Sequence, residues 1–373
     1  MKALTLFGIL VAGAISIGVL YSGDSQPALK DVFKEQFMIG AALNDAVVSG
    51  KDVNAAEIVT KHCNTITAEN VMKWALIHPE PNQYDFAAAD RFVEFGVKHK
   101  MFIVGHTLVW HAQIPDAAFT DNAGKLLNRE AMLVRLKDHI STVVGRYKGR
   151  VKGWDVVNEA LTDEGEFRDT KWRQTIGDDF VAKAFEYAHQ ADPDAELYYN
   201  DFSLEKPAKR DAVVRLVKDL KAKGLRIDGV GIQGHWGMDY PTRENFDAFV
   251  DAVAALGVKV MVTELDLDIL PSVSDYQGAD VSMRAELQKK LNPFPDSLPD
   301  SMQQVHANRY AELFSMLVSQ SKNINRVTFW GVYDKTSWLN NWPVPGRTSY
   351  PLLFDRNYQA KPAFDAIVKV VQK

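Results

Sequence analysis

Two glutamates of this sequence end runs of apolar and β-branched residues, and carboxyl groups in such positions could perform acid–base and nucleophilic chemistry. Glu159 follows Asn158 at the end of "GWDVVNE", and Glu264 ends "VKVMVTE". A pair of carboxyl groups is the equipment for glycoside hydrolysis, in which one donates a proton to the leaving oxygen and the other attacks or stabilises the anomeric carbon. One group must be protonated and the other ionised, so their surroundings should differ. His235 and Gln233 are possible hydrogen-bond donors to Glu264.

The elements that must position these glutamates are repeated β-strand and α-helix units. After residue 30, apolar or β-branched runs alternate with amphipathic stretches, which is typical of such units. The predicted strands cover residues 37–43, 65–70, 101–110, 151–160, 196–201, 229–236, 258–266 and 326–334. Helix signals lie between them, since Pro207 begins one stretch that Gly224 ends, and Thr242 begins another that Gly257 ends.

Eight strands in a chain of 373 residues favour an α/β fold of one domain, a closed (β/α)8 TIM barrel. No G-x-G-x-x-G loop follows the first strand, which weakens the alternative of an open, dinucleotide-binding sheet. Glu159 and Glu264 are 105 positions apart, or about three repeat units. We therefore expect them on the fourth and seventh strands, facing each other across the mouth of the barrel.

Polar and aromatic side chains gather at the carboxyl ends of these strands, where barrels of this kind carry their active sites. Besides the two glutamates, the strand ends and following loops carry Glu69, Asn70, Lys73, Trp74, His106, Trp110, His111, Asn158, Asn200, Asp201, Gln233, His235, Trp236, Asp266, Trp330, Trp338 and Trp342. Each residue alone has an ordinary structural explanation, but a packed barrel has no use for so many polar groups on one rim. Indole rings also suit the flat C–H face of a pyranose.

Composition excludes several other functions. The net charge is −5 and no block of Lys and Arg is present, so nothing indicates binding to nucleic acid. The single Cys63 cannot form an internal disulfide, and the five-residue spacing of His106 and His111 matches no helical zinc pair. The sequence therefore predicts no metal and no cofactor. A serine nucleophile is not expected either, because no G-x-S-x-G motif is present.

The first residues have the order of an export signal. Met1 and Lys2 precede an uncharged run over residues 3–20, and the polar "YSGDSQP" follows. Residues 1–26 fit either a cleaved signal peptide or an uncleaved membrane anchor, with residues 3–20 as the possible tether. We expect an exported protein, periplasmic, cell-surface or secreted, that is a monomer.

From about Phe37 to Val371 the sequence resembles the endo-β-1,4-xylanases of glycoside hydrolase family 10. The resemblance rests on "TAENVMKW", "GHTLVWH", "WDVVNEA", "IQGHW", "VTELD" and "WGVYDKTSW", which occur in the family's order. It implies that residues 27–373 form the catalytic barrel of a retaining endo-hydrolase. The implied substrates are xylan and xylo-oligosaccharides, cleaved by double displacement.

The motifs also imply a role for each matching residue. Glu159 matches the acid/base and Glu264 the nucleophile, and a retaining pair is about 5 to 5.5 Å apart. Asn158 matches the contact to the 2-hydroxyl of the sugar being cleaved, and His235 and Asp266 match the pair that orients the nucleophile. The residues that match the wall of the subsite around that sugar are Lys73, His106, Trp110, Gln233, Trp330 and Trp338. Glu69 and Asn70 match the next subsite towards the non-reducing end.

Two features depart from the family pattern. Tyr333 sits where the family often has a smaller residue, in the same wall. The span 267–300 is long for a connection and rich in Pro, Ser and Asp, and we expect it to border the leaving-group side of the cleft and alter chain-end preference. Two alternatives stay open, a β-1,4-glucanase or mannanase on a related barrel and a catalytically dead carbohydrate-binding barrel.

Overall fold

The computed structural model describes residues 26–272 and 289–372, which form a closed barrel of eight parallel strands. The strands are β1 (Met38–Leu43), β2 (Thr65–Ala68), β3 (Phe102–Val109), β4 (Gly153–Asn158), β5 (Glu196–Asp201), β6 (Gly229–Ile232), β7 (Lys259–Leu267) and β8 (Ile324–Phe329). Each strand pairs with the next, and β8 pairs with β1 to close the ring. The predicted (β/α)8 TIM barrel is confirmed.

One long helix follows each strand and covers the outside of the barrel. These helices are α1 (Val53–His62), α2 (Ala87–Lys98), α3 (Arg129–Arg146), α4 (Phe180–Ala191), α5 (Pro207–Ala222), α6 (Arg243–Ala254), α7 (Asp300–Ser319) and α8 (Pro362–Val371). Shorter helical segments are Leu29–Val32, Asp45–Val48, Trp74–Ile77, Asp116–Ala118, Lys171–Ile176 and Asp334–Thr336. The predicted helix starts are confirmed, since Pro207 is the first residue of α5 and the Thr242 side chain caps α6.

Several predicted strands run past the observed ones because their polar ends leave the sheet. β4 ends at Asn158, and Glu159 turns away with a φ of 55°. The predicted run 229–236 is divided at Gly234, whose φ of 85° interrupts the strand. The last two residues of that run, His235–Trp236, form a short separate strand that pairs with the end of β7.

The main hydrophobic core lies between the strands and the helices, and a smaller cluster fills the barrel interior. Val104, Tyr198 and Met261, each the third residue of its strand, form this inner cluster. The guanidinium group of Arg326 lies 5.0 Å from the centre of the Tyr198 ring. Neighbours along the strand, such as Tyr199, belong to the main core instead, as strand alternation requires. Side chains therefore close the base of the barrel, and an open site can form only at its mouth.

The described ends of the long loop pack against the segment that follows β8. Arg347 donates from Nη2 to an oxygen of Asp268 at 2.9 Å and from Nε to the carbonyl of Leu291 at 3.0 Å. Residues 273–288 lie outside the described residues, as does nearly all of the predicted export segment. The predicted effect of this loop on chain-end preference therefore stays a prediction. Among the helices of residues 26–272 and 289–372, none combines the length and hydrophobicity needed to span a bilayer.

The indole ring of Trp154 on β4 covers Gly105 of β3. These two residues are register partners in the parallel pairing of the strands. A Cβ atom at Gly105 would lie 2.2 Å from two carbon atoms of the indole. Trp154 is only 1% exposed, so its ring has no free space to move into. The absence of a side chain at Gly105 thus lets β3 and β4 approach, one residue before His106.

We predict that Gly105→Ala lowers the free energy of unfolding by about 1–3 kcal/mol, because the added methyl group displaces the indole of Trp154. Denaturant titration followed by circular dichroism measures this change. The matched control is Gly145→Ala on α3, where a Cβ atom meets nothing within 4 Å. Alanine there is expected to raise the stability by roughly 0.5–1 kcal/mol. Equal effects of the two substitutions would contradict the close-approach argument.

Candidate active site

A cleft of about 1110 Å³ opens at the carboxyl ends of the strands. Its lining includes the predicted residues Glu69, Asn70, Lys73, His106, Trp110, Asn158, Glu159, Gln233, His235, Glu264, Trp330 and Trp338. Asp266 is not in the wall of the cleft, but its carboxylate accepts a hydrogen bond from the Trp338 indole at 2.7 Å. The fold thus brings the predicted catalytic, supporting and substrate-binding residues to one place.

Glu159 is surrounded by neutral hydrogen-bond donors. Oε2 accepts from the Trp110 indole nitrogen at 2.9 Å. Oε1 accepts from the side-chain amide of Gln233 at 2.8 Å and from that of Asn158 at 3.2 Å. Both oxygens of the carboxyl group therefore accept hydrogen bonds, and within residues 26–272 and 289–372 no cationic side chain donates to it.

Glu264 has a different set of partners. Oε1 accepts from the side-chain amide of Asn200 at 2.7 Å, and Oε2 lies 3.2 Å from Nε2 of His235. Nδ1 of the same imidazole lies 3.0 Å from an oxygen of Asp266. His235 thus stands between two carboxylates and contacts both.

The charge of His235 follows from these two contacts. Burial of the ring lowers the pKa of His235, but the charge of Asp266 and the hydrogen bonds to Asp266 and Glu264 outweigh it and raise the pKa to about 10. The imidazole is therefore a cation at neutral pH. A charged donor faces Glu264 and neutral donors face Glu159, so the two glutamates lie in electrostatically different surroundings.

Two side-chain amides connect the glutamates across the barrel interior. Asn200 donates from Nδ2 to Asn158 Oδ1 at 2.9 Å as well as to Glu264. Its Oδ1 accepts from the Thr263 hydroxyl at 2.6 Å. Asn158 in turn donates to Glu159. In the sequence, Asn200 is marked only by its place at a strand end, and that place is the signal that it belongs to the site.

The sequence suggested Gln233 as a donor to Glu264, and this detail is wrong. The backbone of Gln233 does contact Glu264, because its carbonyl accepts from the Glu264 N–H at 2.6 Å. Its side chain instead points to β4, where it donates to Glu159 and approaches Asn158 Oδ1 at 3.3 Å. Spacing along a strand did not reveal that the side chain would extend past β5 towards β4 and not towards β7.

Lys73 occupies a buried position between two tryptophans. Its Nζ lies 5.0 Å from the centre of the Trp110 ring and 5.8 Å from that of Trp330. It donates to Asn70 Oδ1 at 2.9 Å, and Asn70 donates to Glu69 at 3.1 Å. Desolvation lowers the pKa of Lys73, and the surrounding carboxylates oppose this shift. The three polar residues therefore form one connected wall.

Other residues named near the strand ends have mixed outcomes. His106 faces the cleft and is held by Asp155, whose carboxylate lies 2.9 Å from its Nδ1. Trp74 and Trp236 are buried in the core at 4% and 3% exposure, although both follow strand ends. Tyr333 is not part of the cleft wall, because its hydroxyl donates to Asp52 at 2.8 Å outside it.

The opposite part of the cleft is formed by residues that we did not select from the sequence. Gln113, after β3, also lines the cleft, and the opposite part includes Phe202, Ser203, Glu205, Lys206, Tyr240, Pro241, Thr242, Asn245 and Ser272. Most of them belong to the loops after β5 and β6, and only their place after a strand could have indicated them. Trp342 stacks on Trp338 with ring centres 6.3 Å apart.

The barrel order places the two sides of the cleft relative to the glutamates. Glu159 follows β4 and Glu264 lies on β7, so a line between them has β5 and β6 on one side and β8, β1, β2 and β3 on the other. The walls on both sides continue beyond the glutamates. Within the described ranges, His, Cys, Asp and Glu side chains form no group that could hold a metal ion.

The sequence matches the model of glycosyl hydrolase family 10 over residues 28–370. It is 46% identical over 372 residues to endo-1,4-beta-xylanase A of Xylanibacter ruminicola, and the match covers 100% of both chains. It also resembles the solved structure of a GH10 endoxylanase from a sugarcane soil metagenome, with a TM-score of 0.86, 42% identity and coverage of 92% of this chain and 99% of that one.

Two solved structures of a xylanase from Thermoanaerobacterium saccharolyticum carry glutamate-to-alanine mutations, one with bound xylotriose and one with bound xylotetraose. Each is 37% identical to this chain with a TM-score of 0.79, and they cover 93% and 91% of it and 99% and 98% of their own chains. The two mutated glutamates are 105 positions apart. By its sequence and by its fold, the chain belongs to glycosyl hydrolase family 10.

Proposed function

We propose that this protein hydrolyses internal β-1,4-xylosidic bonds of xylan and xylo-oligosaccharides with retention of anomeric configuration. The observation that carries the proposal is the pair of glutamates, one directly after β4 and one on β7, connected through two amides and lying in different electrostatic surroundings. The same separation of 105 positions divides the two glutamates mutated in the sugar-bound xylanase structures. This supports equivalent positions for Glu159 and Glu264.

In the first step, Glu264 attacks the anomeric carbon while Glu159 donates its proton to the glycosidic oxygen. The bond between carbon and the glycosidic oxygen breaks, the leaving sugar departs as an alcohol, and a covalent ester joins the remaining sugar to Glu264. The cationic His235 supports this assignment, because a charged donor stabilises the anionic nucleophile. Glu159 receives hydrogen bonds from the neutral Trp110 indole and Gln233 amide, and we assign it as the acid/base partner of this nucleophile.

In the second step, the carboxylate of Glu159 takes a proton from water and the hydroxide attacks the anomeric carbon. The ester bond breaks, Glu264 leaves as a carboxylate and Glu159 is again protonated. Asn158 lies beside Glu159 and is the candidate contact for the 2-hydroxyl of the sugar. Hydrogen bonds to that hydroxyl strengthen in the transition state.

The two-sided cleft supports internal cleavage. Glu69 and Asn70 lie on the β2 side of the glutamates, while Phe202 and Tyr240 lie on the β5 and β6 side. Sugars can therefore bind in both directions from the bond that is cleaved. On the β2 side, Lys73 and the neighbouring tryptophans crowd the wall, which supports xylose over a sugar with a hydroxymethyl group. Export through the N-terminal segment and a monomeric state stay predictions of the sequence.

The substrate is tested by comparing kcat/KM for xylan, cellulose and mannan under the same conditions. We expect xylan to be preferred by about 10- to 200-fold, the range that one extra carbon in a crowded pocket provides. Early products should be oligosaccharides, because internal bonds are cleaved. Faster hydrolysis of cellulose or mannan would instead favour the alternative of a glucanase or mannanase.

Removal of either glutamate tests the mechanism. We predict that Glu264→Ala and Glu159→Ala each lower kcat on xylan by about 10²–10⁴-fold or more, since each removes a group that acts on the reacting atoms. The control is Glu196→Gln at the other end of β5, away from the cleft. The carboxylate of Glu196 lies 2.8 Å from Nζ of Lys259. Near wild-type activity of Glu264→Ala would disprove the assignment of the nucleophile.

The raised pKa of His235 predicts how its contribution to stability depends on pH. Because the pKa rises from 6.5 in the unfolded chain to about 10 in the fold, this contribution is complete below pH 6.5 and is lost as the pH rises towards 10. Its upper limit is roughly 5 kcal/mol. Denaturant titrations of wild type and His235→Gln between pH 6 and pH 10 should show a stability difference that shrinks with rising pH. A difference that grows would contradict the charged imidazole.

A further inference from the structure

The turn that carries Glu159 is held by the neighbouring strand β5. Glu159 has a φ of 55°, in the left-handed region that residues with a side chain rarely adopt. Its N–H donates to the carbonyl of Asn200 at 2.9 Å. The next N–H, that of Ala160, donates to the hydroxyl oxygen of Tyr199 at 3.1 Å. A side chain of β5 therefore takes over where backbone pairing between the strands stops.

Asp201 adds to these contacts. The side chains of Tyr199 and Asp201 together form an anchor for the turn that carries Glu159. Its Oδ2 accepts from the N–H of Leu161 at 3.4 Å and from the hydroxyl of Tyr199 at 2.5 Å. Its Oδ1 accepts from the N–H of Phe202 at 2.9 Å, and Lys209 Nζ lies 2.8 Å from the same oxygen. One carboxylate thus ties together the turn after Glu159, the Tyr199 hydroxyl and the start of the next loop.

The anchor is fully buried, and its charged groups are not accounted for by stability alone. Tyr199, Asp201 and Lys209 each have 0% exposure. Burial raises the pKa of Asp201 to about 6, although Lys209 and Tyr199 oppose the shift. A buried ion pair is often no more stabilising than apolar residues of similar size. The network therefore needs an explanation other than stability.

We propose that Tyr199 and Asp201 are positioning residues that keep the carboxyl group of Glu159 directed at the glycosidic oxygen. The proposal rests on the proposed role of Glu159 as the acid/base. Neither residue touches the substrate, because Tyr199 packs in the outer core and neither is part of the cleft wall. Asn200, between them, faces the interior and contacts Glu264. One face of β5 therefore contacts Glu264 through Asn200. The other face holds the turn of Glu159 through Tyr199 and Asp201.

The consequence is a selective loss of acid catalysis when the anchor is weakened. A sugar leaving group needs a proton as it departs, whereas a dinitrophenolate departs without one. Tyr199→Phe removes one hydroxyl and leaves the ring in place. We expect kcat/KM for xylopentaose to fall about tenfold, part of the 10²–10⁴-fold that a general acid contributes. For 2,4-dinitrophenyl β-xylobioside we expect less than about a twofold change in kcat/KM.

Tyr198→Phe is the matched control, because it is the same substitution one residue earlier. Tyr198 is equally buried, and its hydroxyl donates to the Glu196 carboxylate at 2.7 Å near the base of the barrel. We expect it to leave the ratio of the two kcat/KM values as in wild type, even where it lowers the melting temperature. A change of that ratio in Tyr199→Phe alone would support positioning rather than general destabilisation.

Asp201→Asn is a second variant that keeps the side-chain volume, and near-UV circular dichroism shows which variants are folded at the assay temperature. A selective loss on xylopentaose in either folded variant supports the proposal. Equal losses on both substrates, or no loss, would overturn it. A wild-type protein that cleaves neither xylose substrate would overturn the proposed function itself, which keeps the two failures distinct.

Discussion

The side-chain amide of Asn200 is the contact on which the geometry of the site depends. It donates to both Asn158 and Glu264, and it accepts from Thr263. The residue has 0% exposure, so no solvent replaces a lost partner. Buried polar networks are stable only when their members are satisfied, and they then specify one arrangement. The distance and orientation of the glutamates therefore follow from an amide that lies between them.

Such a network is possible because different regions of the barrel provide its stability and its reactive groups. Large apolar residues fill the space between strands and helices and the base of the interior. Burial of that surface is the main favourable contribution to folding. The upper interior can therefore hold amides, carboxylates and an imidazole, provided each finds partners. The close approach of β3 and β4 at Gly105 belongs to the same scaffold, which keeps the strand ends in register.

Electrostatics then distinguishes two chemically identical side chains. Asp266 and Glu264 keep His235 protonated, so a cation contacts Glu264. Glu159 receives hydrogen bonds from an indole and two amides and lies on a turn that Tyr199 and Asp201 hold from outside the barrel. The two carboxyl groups thus have separate supports and different neighbours, as two carboxyl groups with different roles need.

The sequence by itself determined the barrel, the strands that carry the glutamates and most of the residues that surround them, because strand periodicity and strand-end polarity are local properties of the chain. Tertiary structure alone decided that the Gln233 side chain reaches Glu159, that Asn200 connects the glutamates, and that Trp74, Trp236 and Tyr333 lie outside the cleft. Tertiary structure also decided that the loops after β5 and β6 form one wall of the cleft. Where a side chain points depends on bulges, turns and neighbouring strands that are distant in the sequence, and no spacing rule encodes those contacts.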